Sequence, residues 1–342
     1  MIDLRSDTVT KPTPAMREAM VRALVGDDVY EEDPSVNRFQ EMAAALLGKP
    51  AALFVPTGIM ANQLAIRVQA QLGDEVIVEA RSHIVRYEHG AASALAGVHL
   101  QWLTGVRGIL SPEQVNAAIR PKEPTQPATA LICLENTHNS GGGSIYPLHT
   151  IERIREIALA QGVRMHLDGA RLFNAVVATG VAASEYARHF DTVSFCVSKG
   201  LGAPVGSVVA GEASTVRRLR HFRRMYGGGM RQTGILAAAG IYALEHHIPR
   251  LKEDHDNAKR LAGLLQKIPT VSVNPAEVET NIVLFEMRDS GRPATDTLAA
   301  LKKAGVLINS VGGLTFRAVT HLDVTAQDIE QAGQVFAAVL NR

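Results

Sequence analysis

Lys199 is the residue whose position in the sequence most directly suggests chemistry. It follows the apolar run 192–197 and leads into a glycine-rich turn at 200–202. A lysine amine held away from water loses its proton readily and becomes a nucleophile that can form a Schiff base with an aldehyde. Because most lysines at strand ends are simply solvated, this interpretation needs partner residues.

The turn after Lys199 also imitates a dinucleotide-binding loop, through Gly200, Gly202 and Gly206. Pro204 interrupts this pattern, and residues 207–210 form an apolar, strand-like run. A nicotinamide cofactor requires a helix that begins directly after such a loop. The sequence therefore argues against nicotinamide binding.

Asp168 is the second candidate, because it ends the apolar run 164–168. A carboxylate at the end of a buried strand needs a cation or hydrogen-bond donors. A protonated pyridine nitrogen is such a partner, and a facing aspartate keeps the ring able to accept electrons. Two alternatives stay open: a structural ion pair with Arg171, and a metal site shared with His166. The metal alternative is weak because no third ligand stands at a recognisable spacing.

Thr57 and Gly58 form the third candidate site. They follow the apolar run 51–55 and precede a helical pattern. Free backbone amides and the dipole at a helix N-terminus attract anions. This segment therefore fits a phosphate group, although the signal is weak by itself.

The elements that must position these residues alternate between short apolar runs and amphipathic helices. We predict strands at 51–55, 75–79, 99–103, 130–135, 164–168, 192–197 and 206–210. We predict helices at 35–47, 60–71, 111–119, 148–161 and 231–246. Apolar strands separated by helices indicate an α/β fold with a mostly parallel sheet covered by helices. Ligands of such sheets bind beyond the carboxyl ends of the strands, where all three candidates stand.

The pattern changes after about residue 249. A charged helix at 250–266 leads to short strands at 271–273, 281–286, 306–308 and 314–318, and to a last helix at 326–340. We predict a large domain at 1–248, with its N-terminal segment contributing to the site, and a smaller C-terminal α/β domain at 249–342.

Composition excludes some classes of partner. The 342 residues contain 35 Lys and Arg against 34 Asp and Glu, which gives no electrostatic reason to bind nucleic acid or anionic membranes. No signal peptide or long apolar segment is evident. Cys133 and Cys196 stand in apolar runs, so we expect free thiols rather than a disulfide. The expected location is the cytoplasm.

Several strings in the chain resemble a known family. The ring acid, the lysine and the phosphate loop resemble fold-type-I pyridoxal-phosphate enzymes, whose fold is aspartate-aminotransferase-like. The finer resemblance is to L-threonine aldolases and covers essentially the whole chain. Its strings are IDLRSDTVT at 2–10, VGDDVY at 25–30, LENTHN at 134–139, HLDGARLFN at 166–174, SKGLG at 198–202, GGGMRQ at 227–232 and RAVTH at 317–321.

The resemblance implies a cofactor, pyridoxal 5'-phosphate, and residues that bind it. Lys199 would hold the cofactor covalently, Asp168 would pair with its pyridine nitrogen, and His83 would stack on the ring. Arg171 would lie near the ring hydroxyl and the substrate carboxylate. The phosphate would be bound by Thr57, Gly58, Ser198, and Arg224 and Arg231 of a neighbouring subunit. Ile59 stands where a hydroxyl residue often follows the glycine, so its backbone amide must suffice.

The resemblance also implies a substrate site. Ser6 and Arg317 would bind the substrate carboxylate with Arg171, since an arginine fork suits a carboxylate. His138 and Tyr87 would lie near the substrate hydroxyl. His83 and His138 are both candidates for the base that takes the hydroxyl proton. No metal ligand is implied, and the expected assembly is a homotetramer, a dimer of dimers with shared active sites.

The implied reaction is reversible retro-aldol cleavage of L-threonine, L-allo-threonine and other L-3-hydroxy amino acids to glycine and an aldehyde. The nearest alternative is another fold-type-I lyase that performs β-elimination, or an aminotransferase. More distant alternatives are a non-catalytic protein that stores the cofactor and a metal-dependent aldolase.

Overall fold

The computed structural model describes residues 1–288 and 293–341 of the chain. Its strands are Ile2–Asp3 (β1), Ala51–Val55 (β2), Glu75–Glu79 (β3), His99–Leu103 (β4), Thr129–Glu135 (β5), Arg164–Asp168 (β6), Thr192–Cys196 (β7), Ser207–Gly211 (β8), Val271–Ser272 (β9), Ile282–Met287 (β10), Val306–Leu307 (β11), Asn309–Gly312 (β12) and Thr315–Val319 (β13).

Its α-helices are Pro14–Val21 (α1), Pro34–Leu47 (α2), Gly58–Gln69 (α3), His83–Arg86 (α4), Pro112–Ala118 (α5), Leu148–Ala160 (α6), Leu172–Thr179 (α7), Ala183–Ala187 (α8), Ala213–Met225 (α9), Gly234–His246 (α10), Leu251–Leu265 (α11), Ala294–Lys303 (α12) and Ala326–Leu340 (α13). Short helical turns of other types lie at Asp7–Val9, Asp28–Tyr30, Ala92–Ala96 and Pro275–Glu277. Every strand and helix predicted from the sequence is present, with its ends shifted by no more than a few residues.

The seven strands predicted before residue 249 form one sheet in the order β2-β8-β7-β6-β5-β3-β4. Neighbouring strands are parallel except that β8 runs antiparallel to both β2 and β7. The reversal has a simple cause: the link from β7 to β8 contains no helix, and a parallel neighbour would need a crossover connection. The mostly parallel sheet predicted from the sequence is confirmed.

This topology collects the candidate residues at one edge of the sheet. β6 and β7 are parallel neighbours, so Asp168 and the segment before Lys199 end side by side. Because β2 and β7 are both antiparallel to β8, the end of β2 points the same way. The helix α3, which begins at Gly58, therefore starts at the same edge as Asp168 and Lys199.

The C-terminal part has its own sheet and core. Its antiparallel sheet has the order β12-β13-β10-β9, and its core contains Phe285, Phe316 and Phe336. The first residues of the chain join this core, because β1 pairs in parallel with β11 and buries Ile2 and Leu4. The chain then turns back toward the edge of the large sheet.

Two further expectations concern the whole chain. Both cysteines are buried and have free thiols, as predicted. Within residues 1–288 and 293–341, no helix combines the length and apolar character needed to cross a bilayer.

Candidate active site

Lys199 and Asp168 line the same narrow cavity, together with Gly58 and His83. The turn after β7 fixes the lysine backbone, because its carbonyl oxygen accepts hydrogen bonds from Gly202 N at 2.8 Å and Thr10 Oγ1 at 3.0 Å. Burial works to raise the pKa of Asp168, but the nearby positive charges of His83 and Lys199 lower it overall. The cavity therefore presents an amine beside a carboxylate that stays ionised.

Asp168 does not form the structural ion pair with Arg171 that the sequence left open. Its Oδ2 accepts a hydrogen bond from Asn62 Nδ2 at 2.7 Å, and its Oδ1 accepts one from Ala170 N at 3.1 Å. Arg171 pairs with Asp7 instead. Among the described residues no cation is paired directly with Asp168, so the carboxylate can serve a cationic ligand in the cavity.

His83 lies on the cavity wall against a buried acid that the sequence analysis missed. Its Nδ1 lies 2.8 Å from Glu88 Oε1, and its ring centroid lies 5.5 Å from that of Tyr87. Burial works to lower the pKa of His83, but the hydrogen bond to Glu88 and the charge of Asp168 raise it overall. With Glu88 holding Nδ1, the other ring nitrogen, Nε2, is the one left to act.

Asn62 connects this acid to Asp168. Its Nδ2 donates to Glu88 Oε1 at 2.8 Å as well as to Asp168. Its Oδ1 lies 3.1 Å from His166 Nε2. Burial lowers the pKa of His166 to about 4, so this ring is neutral, donates from Nε2 to Asn62 and accepts at Nδ1 from the Thr192 hydroxyl at 2.8 Å. His166 thus fixes the Asn62 amide and has no free nitrogen for a metal.

A different group of potential metal ligands lies in the cavity. Ligand atoms of His83, Glu88 and Asp168 lie within 4.8 Å of one another. No metal was expected from the sequence, which does not show that these three side chains meet. Hydrogen bonds account for its compactness, because Asn62 bridges both carboxylates and His83 binds Glu88 directly. Asn62 was detectable in principle, since it stands one helical turn after Gly58 and on the same face.

A pair of arginines lines the wider part of the site, a cavity of about 430 Å³. Arg171 is buried and donates twice to Asp7, from Nε and Nη2, at 2.7 Å each. Asn139 Oδ1 accepts from Arg171 Nη1 at 3.2 Å and from Arg317 Nη1 at 3.0 Å. The Nε of Arg317 is buried and has no partner within the described chain. Arg171 is therefore neutralised, whereas Arg317 is available to an anion.

The buried pair of Asp7 and Arg171 should matter for stability. We expect Asp7→Asn to lower the free energy of unfolding by about 3–5 kcal/mol at neutral pH, because it leaves a buried guanidinium unpaired. Chemical denaturation of both proteins measures the difference. The control Asp256→Asn removes an exposed partner of Lys252, and should cost less than about 1 kcal/mol.

The pH dependence of that stability has a defined sign. Burial works to raise the pKa of Asp7, but Arg171 lowers it overall, to below the unfolded value of about 3.9. The stabilisation is therefore complete above the unfolded pKa and is lost as the pH falls toward the folded pKa. An equal loss of stability with falling pH in the wild type and Asp7→Asn would contradict the role of this pair.

The other predicted substrate residues divide into two groups. Ser6 and Tyr87 line the wider cavity, as does Asn139, which was not singled out from the sequence. His138 does not reach it. Its ring is fully buried, with Nε2 3.1 Å from Glu79 Oε2 and Nδ1 accepting from Gly141 N at 3.0 Å. The expectation that His138 contacts the substrate hydroxyl needs correction, because its ring is buried behind the cavity wall, with Nδ1 hydrogen-bonded and Nε2 facing the Glu79 carboxylate.

The predicted phosphate loop offers backbone amides rather than side chains. Thr57 Oγ1 caps α3 by accepting from Met60 N at 3.1 Å, and Ser198 Oγ donates to Gly206 O at 3.3 Å. The amides of Gly58 and Ile59 donate to no acceptor within residues 1–288 and 293–341. Ile59 itself is 38% exposed. The first turn of α3 is thus open to an anion.

Arg224 and Arg231 are both exposed and do not line the cavity within this chain. Arg231 pairs with Asp27 at 3.0 Å. The intervening loop lies beside α3, since a Cβ added at Gly228 would come within 2.2 Å of Met60 Sδ. The arginine-rich helix α9 precedes this loop, and one of its arginines, Arg223, is buried and paired with Asp28.

Comparisons with known proteins show the family of this chain. A model of the beta-eliminating lyase family matches residues 3–288. Low-specificity L-threonine aldolase 1 of Arabidopsis thaliana is 44% identical over 333 residues, which cover 96% of this chain and 93% of that protein. The chain belongs to the L-threonine aldolases of the beta-eliminating lyase family. The low specificity L-threonine aldolase of Escherichia coli (strain K12) is 41% identical over 343 residues, covering 100% of both chains.

The fold of this L-threonine aldolase family member agrees with a solved structure. A threonine aldolase of Leishmania major superposes with a TM-score of 0.86 at 18% identity, covering 99% of this chain and 100% of that one. The predicted fold-type-I, aspartate-aminotransferase-like architecture is therefore confirmed. The family model and the relatives of 41–44% identity show that the chain is a lyase.

The family implies pyridoxal phosphate, and the residues present fit it. The ionised Asp168 carboxylate suits a protonated ring nitrogen, and Lys199 in the same cavity suits the aldehyde. The unbonded amides at the start of α3 suit the phosphate.

Proposed function

We propose that this chain catalyses pyridoxal-phosphate-dependent, reversible retro-aldol cleavage of L-threonine, L-allo-threonine and other L-3-hydroxy amino acids to glycine and an aldehyde. The observation that carries the proposal is one continuous site. Lys199 and ionised Asp168 line its narrow part, and Arg317, which has no carboxylate partner in the described chain, lines its wide part. This arrangement suits an amino acid whose carboxylate and α-carbon are both held in place.

Pyridoxal phosphate, when bound, supplies an aldehyde for the amine and a ring that accepts the electrons released at the α-carbon. We assign Lys199 to its aldehyde, Asp168 to its ring nitrogen and His83 to the face of its ring. Arg171, which lines both the narrow and the wide part of the site, is assigned to the ring hydroxyl and the substrate carboxylate. The phosphate is assigned to the first turn of α3 and to nearby groups, namely Thr57, Gly58, Ile59, Ser198, and Arg224 and Arg231 of a neighbouring subunit.

The chain's own residues orient the substrate. Arg317 binds the carboxylate, Asn139 fixes its guanidinium, and Ser6 adds a hydroxyl at the same wall. Holding the carboxylate decides which bond of the α-carbon stands perpendicular to the ring. Since His138 is buried behind the wall, we assign the hydroxyl proton to His83, with Tyr87 beside it.

A pH profile tests the role of His83. Glu88, Asp168, Lys199 and Tyr87 all face His83, and Glu88 is hydrogen-bonded to it. Because Glu88 raises its pKa, we expect Glu88→Gln to lower that pKa and to move the acid limb of kcat/KM to lower pH. A proton-accepting histidine is needed neutral, so a lower pKa keeps it active at lower pH. Proton NMR of the His83 ring measures the pKa directly.

The control for that experiment is Gln63→Met. Gln63 donates to Glu88 Oε2 at 2.6 Å, so its loss disturbs the same carboxylate but keeps the negative charge. The acid limb should stay in place in this variant. An unmoved limb in Glu88→Gln would remove His83 as the base.

We also propose three properties of the whole protein that do not concern the reaction itself. The assembly is a homotetramer with shared active sites, which gives the exposed Arg224 and Arg231 a place in a neighbouring site. The location is the cytoplasm, which suits two free thiols. The chain divides near residue 248 into two domains, in keeping with the separate C-terminal core.

The experiment that tests the function is a spectrum followed by an assay. After loading with pyridoxal phosphate, the protein should show a visible band at ~420 nm that borohydride bleaches. L-Threonine and L-allo-threonine should then give acetaldehyde and glycine. A 2-oxo acid product would support β-elimination or transamination instead, and loss of activity to a chelator would support a metal-dependent aldolase. A band without turnover of any hydroxy amino acid would indicate a cofactor-binding protein.

A further inference from the structure

A second cavity, of about 240 Å³, opens beside the substrate cavity. The two share Tyr87, Asn139, Val311 and Arg317 in their walls. The remaining wall of the second cavity, which we call the side cavity, consists of Arg81, Arg86, Ser140 and Leu284. A substrate whose carboxylate is held by Arg317 can therefore extend its side chain past Tyr87 into the side cavity.

The charged side chains that line the side cavity are all positive. No carboxylate lines it or the substrate cavity in the described residues. Arg81 and Arg86 have no Asp or Glu oxygen within 4.0 Å in that part of the chain, and neither does Arg317. Arg171 differs, because Asp7 neutralises it. Three guanidinium groups thus face the joined cavities without a counter-charge from the protein.

The backbone of Arg81 is fixed while its side chain is free. Its amide donates to Glu79 Oε2 at 2.6 Å, and its carbonyl oxygen accepts from Ser140 Oγ at 2.8 Å. Its guanidinium makes no hydrogen bond to the described residues. The Nε of Arg86 donates to Ala80 O at 3.2 Å, which leaves its terminal nitrogens free. Both residues can therefore direct unbonded N–H groups toward a ligand.

The number of unpaired arginines in the two cavities indicates how many negative charges a well-matched ligand carries. The α-carboxylate of an amino acid brings one negative charge, and Arg317 is placed to bind it. A neutral side chain, such as the methyl group of threonine, leaves Arg81 and Arg86 unmatched. A guanidinium fork pairs best with a carboxylate, through two parallel hydrogen bonds.

We propose that Arg81 and Arg86 bind a second carboxylate, on the substrate's side chain. This inference rests on the function proposed above and names its preferred substrates: 3-hydroxy amino acids with an acidic side chain. For 3-hydroxyglutamate, the bond between the α- and β-carbons breaks. The hydroxyl group loses its proton and becomes the carbonyl of 3-oxopropanoate, and the α-carbon gains a proton to give glycine.

The first test compares two substrates of nearly equal shape. L-3-Hydroxyglutamate carries the side-chain carboxylate, and L-3-hydroxyglutamine carries a neutral amide. We expect kcat/KM for glycine formation by the holoenzyme to favour the acid by at least about tenfold, as a hydrogen-bonded charge pair suggests. The ratio should fall to about one in the double variant Arg81→Gln with Arg86→Gln. The control Arg153→Gln removes an exposed arginine paired with Glu156 and should leave the ratio unchanged.

A second test needs no cleavage and separates the two proposals. L-Glutamate and L-glutamine lack the hydroxyl group, so their binding is followed by the visible spectrum of the holoenzyme. Tighter binding of glutamate that depends on Arg81 and Arg86 supports the side cavity, even if threonine releases no acetaldehyde and the proposed function fails. Normal threonine cleavage with no preference for glutamate or hydroxyglutamate overturns the acidic substrate class alone.

Discussion

Replacing Lys199 with alanine should abolish glycine formation from threonine. Lys199 is the amine that shares the narrow cavity with Asp168. Its loss removes the group that holds the cofactor covalently and the nearest amine for proton transfer at the α-carbon. We expect kcat to fall by at least ~10³-fold, in the range found when a catalytic nucleophile is removed. Steady-state assays with the cofactor in excess measure the loss.

Two further variants test whether the loss of activity is specific to the Lys199 amine. Lys199→Arg keeps the positive charge but not the nucleophile, and should be as inactive as the alanine variant. Lys252→Ala removes an exposed lysine that pairs with Asp256, and should retain activity. Turnover in Lys199→Ala near that of the wild type would remove the central assignment of the site.

Asp168→Asn should have the next largest effect. The substitution replaces the charge that faces the ring nitrogen with a neutral amide. It also disturbs the network, because both oxygens of Asp168 accept hydrogen bonds, from Asn62 and Ala170. Whichever way the new amide is oriented, its NH₂ group faces one of these two N–H donors. Breaking a buried charge pair costs about 3–5 kcal/mol, which corresponds to a loss of roughly 10²–10⁴-fold in kcat.

Two further measurements on Asp168→Asn are its affinity for the cofactor and its unfolding temperature. We expect weaker binding of pyridoxal phosphate, read from the visible band, and also a lower unfolding temperature of the variant without cofactor, because two buried N–H donors then face each other. A variant that turns over threonine at the wild-type rate would mean that Asp168 does not face the ring. A variant that simply fails to fold is distinguished by Asn62→Leu, which removes the same hydrogen bond to Asp168 but adds no charge beside its carboxylate.

The sequence predicted the sheet and its functional edge for identifiable reasons. Buried parallel strands are continuous apolar runs, so their positions are readable. Residues that follow such strands must meet at one edge, which brought Asp168, Lys199 and Gly58 together without any knowledge of side-chain contacts. The reversal of β8 could also be inferred, because the link after β7 is too short for a helix.

Side-chain direction in the loops was much harder to predict. His138 lies in an extended segment that bridges to Ser144, and neighbouring residues of extended chain point to opposite sides. Asn139 therefore faces the cavity while His138 faces the interior. Glu88 was missed because its partners Asn62 and Gln63 are distant in sequence, and nothing near it marks it as an acid that will be buried.

The pairing of β1 with β11 has a consequence for how the protein is made. The ribosome releases residues 2–3 long before their partner strand at 306–307. Until then Ile2 and Leu4 have no core to enter, and Asp7 is not held beside Arg171. Contacts between such distant segments form late in folding. The active site of a nascent chain is thus expected to stay incomplete, and unable to cleave amino acids, until residues 306–307 have emerged.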